Sequence, residues 1–209
     1  GDVYKRQLEN PAPGVQFALV PFKIRVGERE YVDLATLNTQ QMLQAMTDYN
    51  RASTTACPSP EEWAEYFLQA DNVFALTISS NLSGSYNAAQ LAAEEYQQEN
   101  PGKRVFVLDS LSTGPEQRLL AEHLRDLLAE GKEFDEVCEE MLRYHKHTHL
   151  LFSLESLANL ARNGRVKPAV AAVARMLGIR VIGQASDAGD LEALCLSLIH
   201  ISEPTRRSY

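Results

Sequence analysis

Residues 72–99, NVFALTISSNLSGSYNAAQLAAEEYQQE, decide the fold that we expect for this chain. An apolar run over 73–78 predicts a buried strand, and the alanine-rich amphipathic run at the end predicts a helix that stops before Pro101. Between them lies ISSNLSGSY (78–86), which we call the serine loop. A strand, a corner of small residues and a helix in this order are typical of α/β proteins, and they are one way to build a small anion site.

The same alternation of strand and helix continues on both sides of this stretch. RVFVLD (104–109) predicts a second buried strand, parallel to the first, and helices are predicted from Pro115 to Gly131 and over 133–145. PSPEEWAEYFLQA (58–70) predicts a helix that opens with a capping box from Ser59 to Glu62. The fold class is therefore α/β, with a parallel sheet flanked by helices.

The segment before residue 58 is less regular. VQFALVPFKIRV (15–26) predicts an edge strand or an irregular strand, because Pro21 cannot donate a ladder hydrogen bond, and GEREY (27–31) returns the chain as a hairpin. Asn38 or Thr39 is expected to cap a helix whose apolar face carries Met42, Leu43, Met46 and Tyr49.

The pattern changes after about residue 148. Strands are predicted at 149–154 and 179–186, helices at 155–164 and 167–178, and a turn at DAGD (187–190). We expect a first domain over 8–148 and the first part of a smaller α/β domain over 149–194. The ends, 1–7 and 195–209, do not continue the patterns beside them and resemble translated adaptor DNA, so we treat them as non-native tails.

Composition excludes several classes of function. The formal net charge is −8 and there is no basic run, which argues against nucleic acid or an anionic membrane surface as the main partner. Apolar runs are too short for stable membrane insertion. Three dispersed cysteines without a CxxC pair argue against a disulfide framework and favour a cytoplasmic location. His145, His147 and His149 alternate, but His145 ends a predicted helix, so we expect no metal site.

The serine loop has the chemistry of an oxyanion site. The start of the following helix offers unpaired N–H groups and a positive dipole, and four serines add rotatable hydroxyl donors, namely Ser79, Ser80, Ser83 and Ser85. The Lys of a Walker A sequence and the GxGxxG pattern are both missing, which favours a carboxylate or single phosphate over a nucleotide. In the alternative interpretation Ser83 or Ser85 is only an N-cap.

STTACPSP (53–60) is a second hydroxyl-rich corner. It places Ser53, Thr54 and Thr55 ahead of the helix that Ser59 caps, and we expect the two corners to lie on neighbouring crossovers of one sheet and to face a common ligand head. The alternative for Thr55 is a turn hydroxyl that bonds its own backbone. Asp109 ends a predicted strand, where we expect turn chemistry or a hydrogen bond to a neighbouring loop.

Four stretches in this order carry a family resemblance: TTACPSPEEW, TISSNLSGSYNAAQLAA, VLDSLSTGPEQ and FSLESLANLARNGRV. From about residue 14 to 194 the chain resembles the DegV family of bacterial lipid-binding proteins. The resemblance implies two α/β domains with a long-chain fatty acid between them, its carboxylate held by hydroxyls. It also implies a non-catalytic carrier without a cofactor, which presents the acid to a separate fatty acid kinase.

The resemblance also assigns residues. Thr55 matches the family's threonine before the proline, and Ser83 and Gly84 match the serine and glycine of its LSGT element, so these three are expected to bind the carboxylate. Ser85 stands where the family usually has threonine. Further contacts to the head group or a partner are expected from Ser79, Ser80, Ser85 and Arg165. Ala56 stands where many members have serine, which removes one donor.

The ends depart from the family pattern. The opening strand with its acidic and hydroxyl signature is missing before residue 14, and the rest of the second domain, with a histidine near the head group, is missing after residue 194.

Three hypotheses follow for the function. The first is the fatty acid carrier. The second is a small-anion hydrolase or transferase with Ser83 as nucleophile, and the third is a structural or regulatory module whose serines are caps.

Overall fold

The computed structural model describes residues 13–49, 51, 53–154 and 179–198. In these ranges the strands are β1 (Lys23–Val26), β2 (Arg29–Val32), β3 (Thr54–Ala56), β4 (Asn72–Thr77), β5 (Arg104–Asp109), β6 (Leu151–Leu154), β7 (Ile179–Ala185) and β8 (Leu191–Leu198). The helices are α1 (Thr39–Asp48), α2 (Pro60–Phe67), α3 (Ser85–Glu99), α4 (Pro115–Ala129) and α5 (Phe134–His145). The two helices predicted at 155–164 and 167–178, and Arg165 with them, lie outside the described residues.

At the centre of the α/β part of the fold is the parallel pair β4 and β5, in register from Asn72 opposite Arg104 to Thr77 opposite Asp109. Alternate residues point to opposite faces of these strands. One face packs against α2 and α3, in a core of Trp63, Phe67, Ala75, Ala89, Ala92, Ala93, Tyr96 and Val107. The other packs against α4 and α5, in a core of Leu108, Leu120, Leu124, Leu127, Val137 and Met141. The predicted parallel strands with helices on both sides are confirmed.

β1, β2 and β3 form a separate antiparallel sheet in the order β2-β1-β3. Ile24 on β1 is opposite Tyr31 on one side and Thr55 on the other. The predicted hairpin is confirmed, but the predicted edge position of β1 is wrong. The ladder begins at Lys23, so Pro21 lies ahead of the strand and its missing N–H removes no ladder bond.

The starts of α1 and α2 follow the sequence signals closely. Asn38 caps α1 and accepts from the Gln41 amide, and Ser59 and Glu62 close the predicted capping box around Pro60. Leu43 is an exception, since it is 53% exposed and does not belong to the buried face of α1. Glu62 has a second role, because its carboxylate accepts from Lys23 Nζ at 2.7 Å and so ties α2 to β1. This hydrogen bond lowers the pKa of Glu62.

Towards the C-terminal end of the described residues, β6, β7 and β8 form an antiparallel sheet in the order β6-β7-β8. Its hairpin turn, residues 186–190, lies where DAGD predicts one. β8 continues to Leu198, so residues 195–198, which the sequence assigns to the tail, pair with β7. In the described part of the chain, no helix combines the length and the apolar character that crossing a bilayer requires.

The packing of α4 gives a direct stability test. Leu120 is fully buried between α4, α5 and β5, whereas its neighbour Leu119 is 45% exposed. Leu120→Ala should lower the free energy of unfolding by about 2–5 kcal/mol, because a cavity replaces the side chain. Urea denaturation followed by circular dichroism measures the change. Leu119→Ala is the matched control, and an equal loss in both variants would contradict this placement of α4.

Candidate functional site

The serine loop ends in the first turn of α3. Gly84 occupies the N-cap position without a side-chain cap, and the first helical bond runs from the Ala88 amide to the Gly84 carbonyl at 3.0 Å. The N-cap position is therefore held by neither Ser83 nor Ser85, so the alternative is wrong as to position, although a serine hydroxyl still bonds an amide at the helix start. The Ser83 hydroxyl oxygen instead accepts from the Ser85 amide at 3.2 Å. The amides of Tyr86 and Asn87 belong to the first turn, where N–H groups have no intrahelical acceptor.

Ser83 Oγ and Ser79 Oγ each accept from the backbone amide two residues on, at 3.2 Å, but the two hydroxyls differ in the use of their protons. Ser83 Oγ is an acceptor for a backbone amide, so its proton remains to be donated. Ser79 is fully buried, and its Oγ donates to the Gly189 carbonyl at 2.7 Å. A serine hydroxyl has one proton, so this bond uses the donor of Ser79. The two serines are thus chemically distinct although the sequence presents them as equivalent.

The backbone of the serine loop is held at its start. The Ser79 amide donates to the Ser112 carbonyl at 2.8 Å, in the corner that follows β5. Its carbonyl accepts from the amides of Leu82 and Ser83 at 2.9 and 3.1 Å. Ser79 therefore connects the end of β4 both to the neighbouring corner and to the residue next to the helix start.

Asp109 connects the same two corners through its side chain. Its carboxylate oxygens each lie 3.2 Å from the Ser80 amide, and Oδ1 accepts from the Leu111 amide at 2.9 Å. This confirms the predicted role in turn chemistry and in bonding a neighbouring loop. Leu111 has a φ of 46°, a left-handed conformation that costs a leucine energy, and the bond to Asp109 helps to hold it.

The second hydroxyl-rich corner is in a different place from the one predicted. Thr55 is the central residue of β3, in the antiparallel sheet, so it is neither on a crossover of the parallel sheet nor in a turn. Its side chain is exposed. The prediction failed because three residues, TTA, pair with a strand that lies about 30 residues earlier, and no local pattern shows this pairing.

The two corners nevertheless meet. A Cβ built on Gly84 would lie 3.3 Å from Cys57 Sγ, so the chain just after Thr55 runs beside the start of α3. Gly84 has a φ of −70°, which any residue adopts, so glycine is favoured here by space and not by backbone conformation. Cys57 was missed by the sequence analysis, since an exposed cysteine without a partner cysteine carries no local signal.

The other predicted site residues lie around this contact. Ser80 and Ser83 are half-buried, and Ser85 is buried at the first position of α3. Asn81, which the sequence analysis missed, is exposed and donates through Nδ2 to the Ala188 carbonyl at 2.7 Å. Among the residues that the structure describes, no group of three or more metal-ligating side chains comes together.

Comparison with known proteins now identifies the family. A family model described as "Uncharacterised protein, DegV family" matches residues 10–197. The chain belongs to the DegV family. A DegV domain-containing protein of Streptococcus pneumoniae is 43% identical over 189 residues, which are 90% of this chain and 67% of that protein. A relative from Streptococcus pyogenes serotype M1 is 38% identical over 90% of this chain and 68% of its own length.

Solved structures of DegV proteins share the fold. The Streptococcus pneumoniae Fatty Acid Kinase (Fak) B3 protein loaded with linoleic acid has a TM-score of 0.89 and 42% identity, over 91% of this chain and 68% of that one. A DegV family protein from Eubacterium eligens loaded with heptadecanoic acid has a TM-score of 0.84 and 42% identity, over 88% and 66%.

The contact between the two corners can be tested with a double-mutant cycle. Gly84→Val should destabilise the chain by about 1–3 kcal/mol, because the added carbons press on Cys57 Sγ. Cys57→Ala alone should change little, and it should recover much of the loss when combined with Gly84→Val. Urea denaturation of the four proteins measures the coupling. Strictly additive effects would show that the segments do not touch.

The bridge made by Asp109 yields a separate prediction. Asp109→Asn keeps the shape of the side chain but replaces a charged acceptor of two amides, so stability should fall by about 1.5–3 kcal/mol. Asp71→Asn is the control, because the Asp71 side chain is 84% exposed and its ion pair is with a lysine at the surface. Thermal unfolding of the three proteins measures the effect, and equal melting temperatures would contradict it.

Proposed function

We propose that this DegV protein is a carrier that binds the carboxylate of a long-chain fatty acid through Thr55, Ser83 and the backbone amides that follow Gly84. The observation that carries the proposal is the approach of the Thr55 segment to the start of α3, at Cys57 and Gly84. It supports a single head-group site with donors from both corners. The two structural relatives are described as loaded with linoleic and heptadecanoic acid, which share a carboxylate and a long apolar chain.

The head-group chemistry suits an anion. The N-terminal end of α3 carries a partial positive charge, and the amides in its first turn need acceptors. Ser83 adds a hydroxyl whose oxygen already accepts from the Ser85 amide, which leaves its proton for a ligand oxygen. A carboxylate presents two oxygens with several lone pairs and can accept all of these donors at once.

Most of the affinity would come from the tail. Burying ~16 methylenes at about 0.8 kcal/mol each exceeds what a few hydrogen bonds contribute. The polar groups would set orientation and reject neutral lipids, because a buried carboxylate without partners is costly. We propose that the tail lies between a first domain (8–148) and a second (149–194), with Ser80, Ser85 and Arg165 as further contacts to the head group or a partner. Ser79, whose hydroxyl proton goes to the Gly189 carbonyl, is not among these direct contacts.

The site favours binding over catalysis. A serine nucleophile requires a base within hydrogen-bond reach, and the hydrogen bond formed by Ser83 Oγ is to a backbone amide. Since one structural relative is named a fatty acid kinase B3 protein, we propose that a separate kinase consumes the acid that this chain presents. The fatty acid is then a ligand and no cofactor takes part. A cytoplasmic location fits the unpaired Cys57, Cys138 and Cys195.

Native mass spectrometry of the full-length protein, purified from cells, tests this proposal. The protein should carry an added mass that matches a fatty acid. Ser83→Ala and Thr55→Ala should each weaken its retention by about 10-fold or more, since each removes a hydrogen bond to a charged group. Thr47→Ala is the control, because that hydroxyl is exposed and bonds the Leu43 carbonyl of its own helix.

The other hypotheses make different predictions for the same variants. Turnover of an ester or phosphate that Ser83→Ala abolishes would favour the enzyme. A loss of stability in Ser83→Ala with no change in bound lipid would favour the structural module. Protein without any co-purifying lipid would contradict the carrier.

A further inference from the structure

The serine loop contacts a distant part of the chain, the hairpin turn between β7 and β8 (residues 186–190). Ser79 Oγ donates to the Gly189 carbonyl, and Asn81 Nδ2 donates to the Ala188 carbonyl, each at 2.7 Å. The donors lie two residues apart and the acceptors are consecutive. The loop and the turn are therefore joined at two points, although 110 residues of sequence separate Ser79 from Gly189.

The turn is well suited to act as a fixed support. The Gly189 amide donates to the Ser186 carbonyl at 2.8 Å, the Ser186 amide donates to the Asp190 carbonyl at 2.8 Å, and the Asp190 amide donates to Ser186 Oγ at 3.1 Å. These bonds close the turn on itself, so its two carbonyls face the serine loop from a rigid backbone.

Gly189 is required at this contact for two reasons. Its φ is +85°, which residues with a side chain rarely adopt, and a Cβ there would lie 2.2 Å from Ser79 Oγ and 3.0 Å from Leu111 Cα. Any side chain would push the turn away from both corners that follow β4 and β5.

The backbone carbonyl of Ser79 links the hairpin turn to the proposed head-group site. Its carbonyl accepts from the Ser83 amide at 3.1 Å, so a shift of Ser79 moves the residue that we propose to hold the carboxylate. The proton of Ser79 is already given to Gly189. Ser79 thus acts on the ligand through Ser83 and not by direct contact.

We infer that the β7–β8 turn is a latch that positions the serine loop, and that Ser79, Asn81 and Gly189 are positioning residues of the head-group site. The identity of the ligand, a fatty acid carboxylate, is taken from the proposed function. Thr55 and Ser83 belong to the first domain and the turn belongs to the second. The latch therefore couples the position of the second domain to the strength with which the carboxylate is bound. Breaking the latch loosens the loop and speeds release of the fatty acid.

Hydrogen exchange tests the latch without any lipid. Gly189→Ala should speed amide exchange in a peptide that covers residues 78–86. Gly131→Ala is the matched control, because Gly131 also has a positive φ of 73° but a Cβ there meets nothing within 4 Å. Asn81→Ala is a milder variant that serves if Gly189→Ala does not fold. Its control is Asn72→Ala, because Asn72 is also an exposed asparagine.

Release of palmitic acid tests the positioning role. The full-length protein is loaded with radiolabelled palmitic acid, and transfer to excess phosphatidylcholine vesicles is followed at a temperature where each variant is folded. Asn81→Ala should release the acid about fivefold faster, as expected for one lost neutral hydrogen bond, and Gly189→Ala faster still. Gly131→Ala and Asn72→Ala should match the original protein.

Each result tests a different part of the inference: the latch, the positioning role or the proposed ligand. Unchanged exchange over 78–86 in both Asn81→Ala and Gly189→Ala would overturn the latch, whatever the ligand. Faster exchange with unchanged release would overturn the positioning role. If the unsubstituted protein does not take up palmitic acid, the proposed function fails, and the exchange experiment still decides whether the turn holds the loop.

Discussion

The parallel pairing of β4 with β5 is the constraint on which the candidate site depends. It places Thr77 opposite Asp109, so both strands end at the same level and their corners leave the sheet side by side. Ser79 and Asp109 then bond across the gap, to the Ser112 carbonyl and the Ser80 amide. Helices packed on both faces hold the strand pair in this register, because alternate side chains of each strand lie in different cores.

Patterns that act within a few residues could be predicted from the sequence. The capping box of Ser59 and Glu62 and the buried faces of α2 and α4 depend on spacing along one helix, and spacing is what a sequence displays. The parallel strands could also be predicted, since their continuous apolar runs and intervening helix leave few topologies. The type of bond that Asp109 forms was also predicted, because a carboxylate at the end of a strand can accept from the backbone of a neighbouring loop.

Long-range pairing could not be predicted in the same way. Thr55 lies in a three-residue strand that exists only because β1 offers it an edge, and Ile24, its partner, is 31 positions earlier. The contact of Cys57 with Gly84, and that of Ser79 with Gly189, depend likewise on how separate units meet. The serines of the loop look alike in sequence, and only their partners distinguish them.

The hydrogen-bond partners of Ser79 and Ser83 indicate that these two serines have different roles in the loop. A hydroxyl that donates to a buried carbonyl, as in Ser79, stabilises the fold and has no proton left for a ligand. A hydroxyl that accepts from an amide at a helix start, as in Ser83, satisfies one backbone group and keeps its proton for an incoming oxygen. The acceptor bond also polarises the hydroxyl, which strengthens the bond that it donates. A loop with both kinds of serine can therefore be rigid before any ligand arrives, and a rigid loop would lose less conformational entropy on binding the proposed carboxylate.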